Sequence, residues 1–259
     1  WGFLLMLTGF YKLLFALGVT QTFFPLALTQ AVLYIFGVRA ILRIAERLSG
    51  AKGRLMTMLM LACCLPLWLA AAVLYTDTFS LPFIAMALDL ALRVKDAANP
   101  RARFALSARC SLVVLIGCQI KMTALIALIA AAIVWLLTMK PRQSVVCILL
   151  SAALVGGGTA VVQRYMKYEV LDPAMVEQHH TPTIHWIMMS IPTGDNPYGG
   201  ATGDYGITWG MMEDGASRTD IMDSIYTRMK DRIYALRYPN RLAEAALRKN
   251  SAFIGDGTF

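Results

Sequence analysis

Apolar runs as long as a bilayer is thick, separated by short basic loops, constrain this chain more than any other feature. A helix needs about 20 residues to cross the hydrocarbon. Residues 22–43, 55–75 and 144–163 reach that length, and shorter apolar stretches at 80–93, 106–120 and 122–138 lie between them. Hydrophobic residues make up 58% of the 259-residue chain and charged residues 15%, with a mean hydropathy of +0.57. Soluble domains run at about 45–50% and about 25%. That balance excludes a disordered chain, a nucleic-acid-binding tail and an ordinary cytosolic enzyme. It predicts an all-α polytopic transmembrane bundle.

Charge divides the chain in two. Residues 1–163 carry 14 Lys+Arg against 4 Asp+Glu, whereas residues 164–259 carry 10 against 12. The expected domains are therefore a transmembrane part, 1–163, with an outer amphipathic helix at 2–19 and six spans, and a polar loop-plus-helix segment, 164–259. Loops 39–54, 93–109 and 139–143 hold five, five and two Lys/Arg, while the opposite turns, 76–80 and 120–122, hold only Lys121. The positive-inside rule puts the basic loops in the cytoplasm and residues 164–259 outside the cell membrane. The chain opens on Trp1 rather than Met and shows no signal peptide, so it reads as a piece of a longer protein.

Finer features follow from local chemistry. Gly18 ends the first apolar run, and Pro66 kinks the run at 55–75. Gly156-Gly157-Gly158 suits close packing or a bend. Residues 178–216 are rich in Gly, Pro, Asn and Asp and read as loop. Ser217 and Asp220 mark a helix start. Ile221, Ile225, Met229, Ile233 and Leu236 fall on one face of that helix, Pro239 ends it, and Asn240 suits the cap of a second. Cys63, Cys64, Cys110, Cys118 and Cys147 all lie in apolar stretches, without zinc spacing or a disulfide framework.

Three places could carry chemistry. Lys121 sits between two apolar runs. It suits a snorkelling ammonium, a phosphate contact at the outer surface, or an ion pair with Asp77. Asp77 lies in the tight turn Tyr75-Thr76-Asp77-Thr78. It suits a helix cap, or a contact with a sugar hydroxyl or Lys121. Asp89 is one helical turn from Arg93, as a lateral pair requires. His179, His180 and His185 fall within seven residues, but Pro182 and their spacing match no zinc site, so no metal is expected. His185 opens the apolar stretch Trp186-Ile187-Met188-Met189. It suits packing against the membrane part or contact with a sugar or acceptor. No phosphate loop, nucleophile elbow or dinucleotide fingerprint occurs, and nothing calls for a cofactor or for nucleic acid.

Four stretches, with the end of the chain, resemble the GT-C-type membrane glycosyltransferases, such as protein mannosyltransferases and aminoarabinose transferases. They are Trp1 to Gly18 with Val19 and the following span, Tyr75-Thr-Asp-Thr-Phe-Ser-Leu-Pro-Phe83, Gly117-Cys-Gln-Ile-Lys121-Met-Thr-Ala-Leu125 and His185-Trp-Ile-Met-Met-Ser190. Gly255-Asp-Gly-Thr-Phe259 resembles the approach to a further span. They occur in the family's order. The resemblance implies transfer of a sugar from a polyprenyl-phosphate donor to a glycan, lipid or protein acceptor at the outer membrane face. It places Lys121 near the donor phosphate; Asp77 and His185, from their own chemistry, complete the expected substrate contacts. It also implies a catalytic carboxylate in a first outer loop upstream of this chain. A lipid-linked sugar flippase or secondary transporter is the alternative, and a non-enzymatic scaffold a third reading.

Overall fold

The computed structural model describes residues 2–21, 23–70, 73, 75–170, 181–191, 202–238, 240–245 and 247, and they contain no strand. The fold is all-α and polytopic. Two compact units divide the chain, Trp1–Glu169 and Val170–Phe259.

In the first unit, α1 (Gly2–Ala16) stops at Gly18, whose φ of 73° is open to glycine without strain. Next, α2 covers Phe23–Cys63, but Gly50 interrupts it with φ 66° and ψ −163°. The two expected spans at 22–43 and 55–75 are thus limbs of one hairpin hinged at Gly50, and Arg54 on the second limb meets Glu46 on the first at 3.1 Å. The second limb breaks at Cys64, before α3 (Leu65–Ala70). Pro66 is the cause: it lacks an N–H, and its ring clashes with the helical carbonyl four residues back. The Trp68 indole donates to the carbonyl of Leu61 at 2.8 Å, satisfying one group that the break releases.

The rest of this unit is a layered helical bundle. It comprises α4 (Thr76–Asp96), α5 (Pro100–Ile120), a 3₁₀ turn (Met122–Ala124), α6 (Leu125–Thr138) and α7 (Pro141–Tyr165), the last running into a π turn (Met166–Val170). The last helix therefore continues past Gln163. Helix α4 packs on α2, α5 and α6, and α5 packs on α7. Phe23–Cys63, Pro100–Ile120 and Pro141–Val170 are long and apolar enough to cross a membrane, while Gly2–Ala16 and Met122–Thr138 are shorter apolar helices. Helix α4 is long enough but carries five charged residues.

Small side chains let these helices approach closely, as membrane interfaces require. A Cβ on Gly37 would lie 3.0 Å from the Pro82 Cα, and one on Gly117 would lie 2.9 Å from the Ala124 Cβ. Among Gly156, Gly157 and Gly158 only the last packs closely, against Leu115. Ser111 donates to Ser151 at 2.7 Å, and Ser107 lies 3.2 Å from the same hydroxyl, so α5 and α7 share a buried hydroxyl cluster. Trp135 of α6 is fully buried and donates to the Ala91 carbonyl of α4 at 3.0 Å. Cys110, Cys118 and Cys147 are buried free thiols.

The second unit corrects the loop expected across 178–216. Two helices occur there, α8 (Thr183–Ser190) and α9 (Thr202–Glu213), followed by α10 (Arg218–Ala235). Helix α9 forms despite Gly203, Gly206 and Gly210 because tertiary packing outweighs propensity. Met212 joins Met188, Ile221 and Ile225 in a buried core. Ser217 caps α10 as expected, accepting from the Asp220 N–H at 3.2 Å. The expected apolar face of α10 is only half used: Ile221 and Ile225 are buried, whereas Ile233 is 54% exposed. Asn240 lies within a helical run rather than before one.

Candidate functional site

At one end of the bundle, Lys121 and Asp77 form an ion pair. Two chain breaks put them there. Helix α5 ends when Lys121 turns extended, at φ −151° and ψ 128°, while its N–H still bonds the Gly117 carbonyl at 2.8 Å. Helix α4 begins at Thr76, so Asp77 stands in its first turn, where the helix dipole favours an anion. The cap expected of Asp77 belongs to Thr78, whose hydroxyl accepts from the Tyr75 N–H at 3.3 Å and reaches the Tyr75 carbonyl at 2.7 Å. A cap must turn its side chain back over the first N–H groups, and Asp77 is turned towards Lys121 instead. Gln30 ties α2 to this corner, donating to Thr78 at 3.1 Å and to the Val73 carbonyl at 3.0 Å.

The Lys121 ammonium also sits 5.4 Å from the centre of the Tyr75 ring, within cation–π range. The pair is not sealed: the Lys121 side chain is 31% exposed and that of Asp77 46%. An ammonium has three N–H donors, and Asp77 leaves some of them for a ligand. The N-terminus of α4 lies at the same corner, with its positive end beside Asp77. The arrangement therefore suits an anion with several oxygens.

The opposite end is dominated by arginine. Asp89 is buried in α4 and pairs with Arg93 at 2.8 Å, as their spacing predicts. It also meets Arg43 of α2 at 3.0 Å, with Arg47 at 4.0 Å. Arg47 reaches Asp96 at 2.6 Å. The basic loop 39–54 and the end of α4 are thus fastened together, away from Lys121.

His185 belongs to the second unit and has partners of its own. The stretch 186–189 packs into that unit's core through Met188. The imidazole is fully buried, with Nδ1 3.0 Å from the Thr208 hydroxyl and Nε2 without a partner. Arg228 donates to the same hydroxyl at 3.0 Å. Asp204, 5% exposed, accepts two 2.6 Å bonds from Arg232 and lies 3.5 Å from Arg228. Sequence reasoning missed Asp204, Thr208, Arg228 and Arg232. The available signal was the four-residue spacing of Asp204 with Thr208 and of Arg228 with Arg232. The exposed rings beside His185 are Trp186, Tyr205 and Trp209, with Tyr205 and Trp209 stacked at 5.8 Å. His179 and His180 lie outside the described residues, and the described residues hold no cluster of His, Cys, Asp and Glu fit for a metal.

Burial holds the His185 pKa below its ordinary value of 6.5, and Arg228 adds to the depression while Asp204 partly opposes it. Because the folded value is the lower one, the unfolded chain takes up the proton first as pH falls. This stabilisation is complete above about pH 6.5 and is lost as pH drops through the folded value. His185→Gln should therefore flatten the acid side of the stability profile. Protease susceptibility of 181–235, measured against pH in both proteins, checks it. Parallel profiles would remove the imidazole as the cause.

No curated protein and no solved structure matches the chain. A family model described as a conserved hypothetical integral membrane protein matches residues 27–206, a stretch that includes Asp77, Asp89, Lys121, His185 and Asp204. That match covers more than half of the sequence, and the chain belongs to this family of integral membrane proteins.

Proposed function

We propose that the protein is a membrane glycosyltransferase that moves a sugar from a polyprenyl-phosphate donor to an acceptor at the membrane face holding Lys121. One observation carries this reading: the Lys121 ammonium, paired with Asp77 and set beside the Tyr75 ring, stays 31% exposed at the end of the bundle opposite the arginine-rich loops. The positive-inside rule assigns those loops to the cytoplasm, which places the corner at the outer surface. The ordered resemblance of four stretches to GT-C-type enzymes supports the same assignment.

The chemistry is a displacement at the anomeric carbon. The acceptor oxygen forms the new bond and gives its proton to a carboxylate, while the bond to the donor phosphate breaks. The leaving phosphate gains negative charge, which the Lys121 ammonium stabilises. Asp77 is committed to Lys121 and serves to position it; the resemblance assigns the proton-accepting carboxylate to a different segment.

Transfer measured with a radiolabelled polyprenyl-phosphate sugar tests the proposal. Removing a charge contact of this kind costs about 10²-fold or more in turnover. Lys121→Ala should lose at least that much, and Lys121→Arg should recover part of it. Unimpaired turnover in Lys121→Ala would take the residue out of the site. Passage of the intact donor across vesicles without transfer would identify a flippase instead.

A further inference from the structure

Between the two limbs of α2, and bounded by α3, lies a cleft of about 460 Å³. Its lining changes character along its length. Along the first limb it runs from Ile35 and Val38 through Arg39, Leu42 and Arg43 to Glu46, so apolar side chains give way to charged ones towards Gly50, with Trp68 and Arg54 completing the lining. The cleft persists because the second limb packs loosely. Leu55, Met56, Met58, Leu59 and Met60 of that limb, with Leu65 and Leu69 of α3, are all exposed, so these side chains do not close the gap that the Arg54–Glu46 pair bridges.

The cationic end has capacity to spare. Glu46 is the one carboxylate lining the cleft, and it is matched by Arg54. Arg43 is shared with Asp89, yet its Nε–H is buried without an acceptor. Arg39 has no carboxylate partner among the described residues. An apolar wall leading into guanidinium groups inside a membrane bundle fits a molecule with a hydrocarbon chain and a phosphate. A helix seated there would need carboxylates at matching positions, whereas the bilayer supplies anionic headgroups on chains.

We propose that this cleft binds an anionic phospholipid, with the phosphate at Arg39, Arg43 and Arg54 and an acyl chain along Ile35, Val38, Leu42 and Trp68. The site lies at the bundle end opposite Lys121 and stands independently of the transferase reading. An occupied cleft fills the space beneath the Gly50 hinge and couples the second limb to the rest of the bundle.

Trp68 supplies the readout, because brominated acyl chains quench a neighbouring indole. The full chain is placed in phosphatidylcholine nanodiscs doped with brominated phosphatidylglycerol or with brominated phosphatidylcholine. Emission from Trp68→Phe is subtracted. The Trp68 component should be quenched preferentially by the anionic lipid. A single arginine near the headgroup contributes on the order of fivefold in lipid preference. Arg39→Gln should reduce the preference by about that factor, and Arg39→Glu should abolish it. Arg39 makes no ion pair with a carboxylate among the described residues, so both variants should keep the melting midpoint, which is measured alongside. Equal quenching by the two lipids, or a preference indifferent to Arg39→Glu, would overturn the proposal. So would loss of the preference to inorganic phosphate at matched ionic strength, which would indicate a soluble-anion site.

Discussion

Asp204→Asn should unfold the helical part of the second unit, with a cost of about 3–5 kcal/mol. The carboxylate is 5% exposed and is the counter-ion of Arg232, at 2.6 Å through both oxygens, and of Arg228 at 3.5 Å. The guanidinium side chains are themselves only 12% and 19% exposed. An amide keeps the shape of the carboxylate but leaves two buried cations uncompensated. Their other bonds do not replace it, since Arg232 also donates to the Met188 carbonyl at 2.9 Å and Arg228 to Thr208 at 3.0 Å, both neutral acceptors. Loss of the network would also unseat His185, whose only partnered ring nitrogen rests on Thr208. Hydrogen exchange in α8, α9 and α10 should accelerate by about 10²-fold or more, the factor equivalent to that energy. Wild-type protection in Asp204→Asn would show that the helices hold without the charge.

A comparable loss is expected in the first unit from Asp89→Asn. Asp89 is the buried anion between α2 and α4, with Arg93 at 2.8 Å and Arg43 at 3.0 Å. Removing its charge leaves two guanidinium groups, each about a third exposed, beside a neutral buried amide, at a cost of about 3 kcal/mol, the low end for breaking a buried pair. For a chain of this size that corresponds to a drop of roughly 10 °C in the melting midpoint. Arg47→Ala is the contrast. Its distance to Asp89 is 4.0 Å and its side chain is 35% exposed, so the cost should stay below about 1 kcal/mol. Thermal unfolding in a single detergent separates the two. Equal midpoints for Asp89→Asn and Arg47→Ala would mean that Asp89 does not hold the helices together.

These contrasts show what the sequence made legible. Apolar length, the glycine stop at Gly18, the helix-breaking Pro66 and the Ser217 cap each act within a few residues, and local chemistry decides them. The Asp89–Arg93 pair is one helical turn long and could be read from spacing. Lys121 stood out because an ammonium between two apolar runs needs a reason, and Asp77 was among the partners that reason allowed. Asp204 was hidden on two counts. It lies among glycines that mimic a loop, and its arginines come 24 and 28 residues later, so only packing unites them. The helix around it is equally non-local in origin, since Met212 finds its partners in two other helices. Half-burial of the α10 face has the same cause: a period marks which residues can share a face, and neighbours determine how far that face is covered.

The sidedness of Lys121 underlies the functional account and can be measured directly. In a cysteine-free background, Met122→Cys places an exposed thiol beside Lys121, and Ser49→Cys places one at the arginine-rich end. Intact cells are treated with a membrane-impermeant maleimide, and labelling is compared before and after lysis. The account predicts that Met122→Cys is labelled from outside and Ser49→Cys only after lysis. Labelling of Ser49→Cys in intact cells, with Met122→Cys protected until lysis, would contradict it.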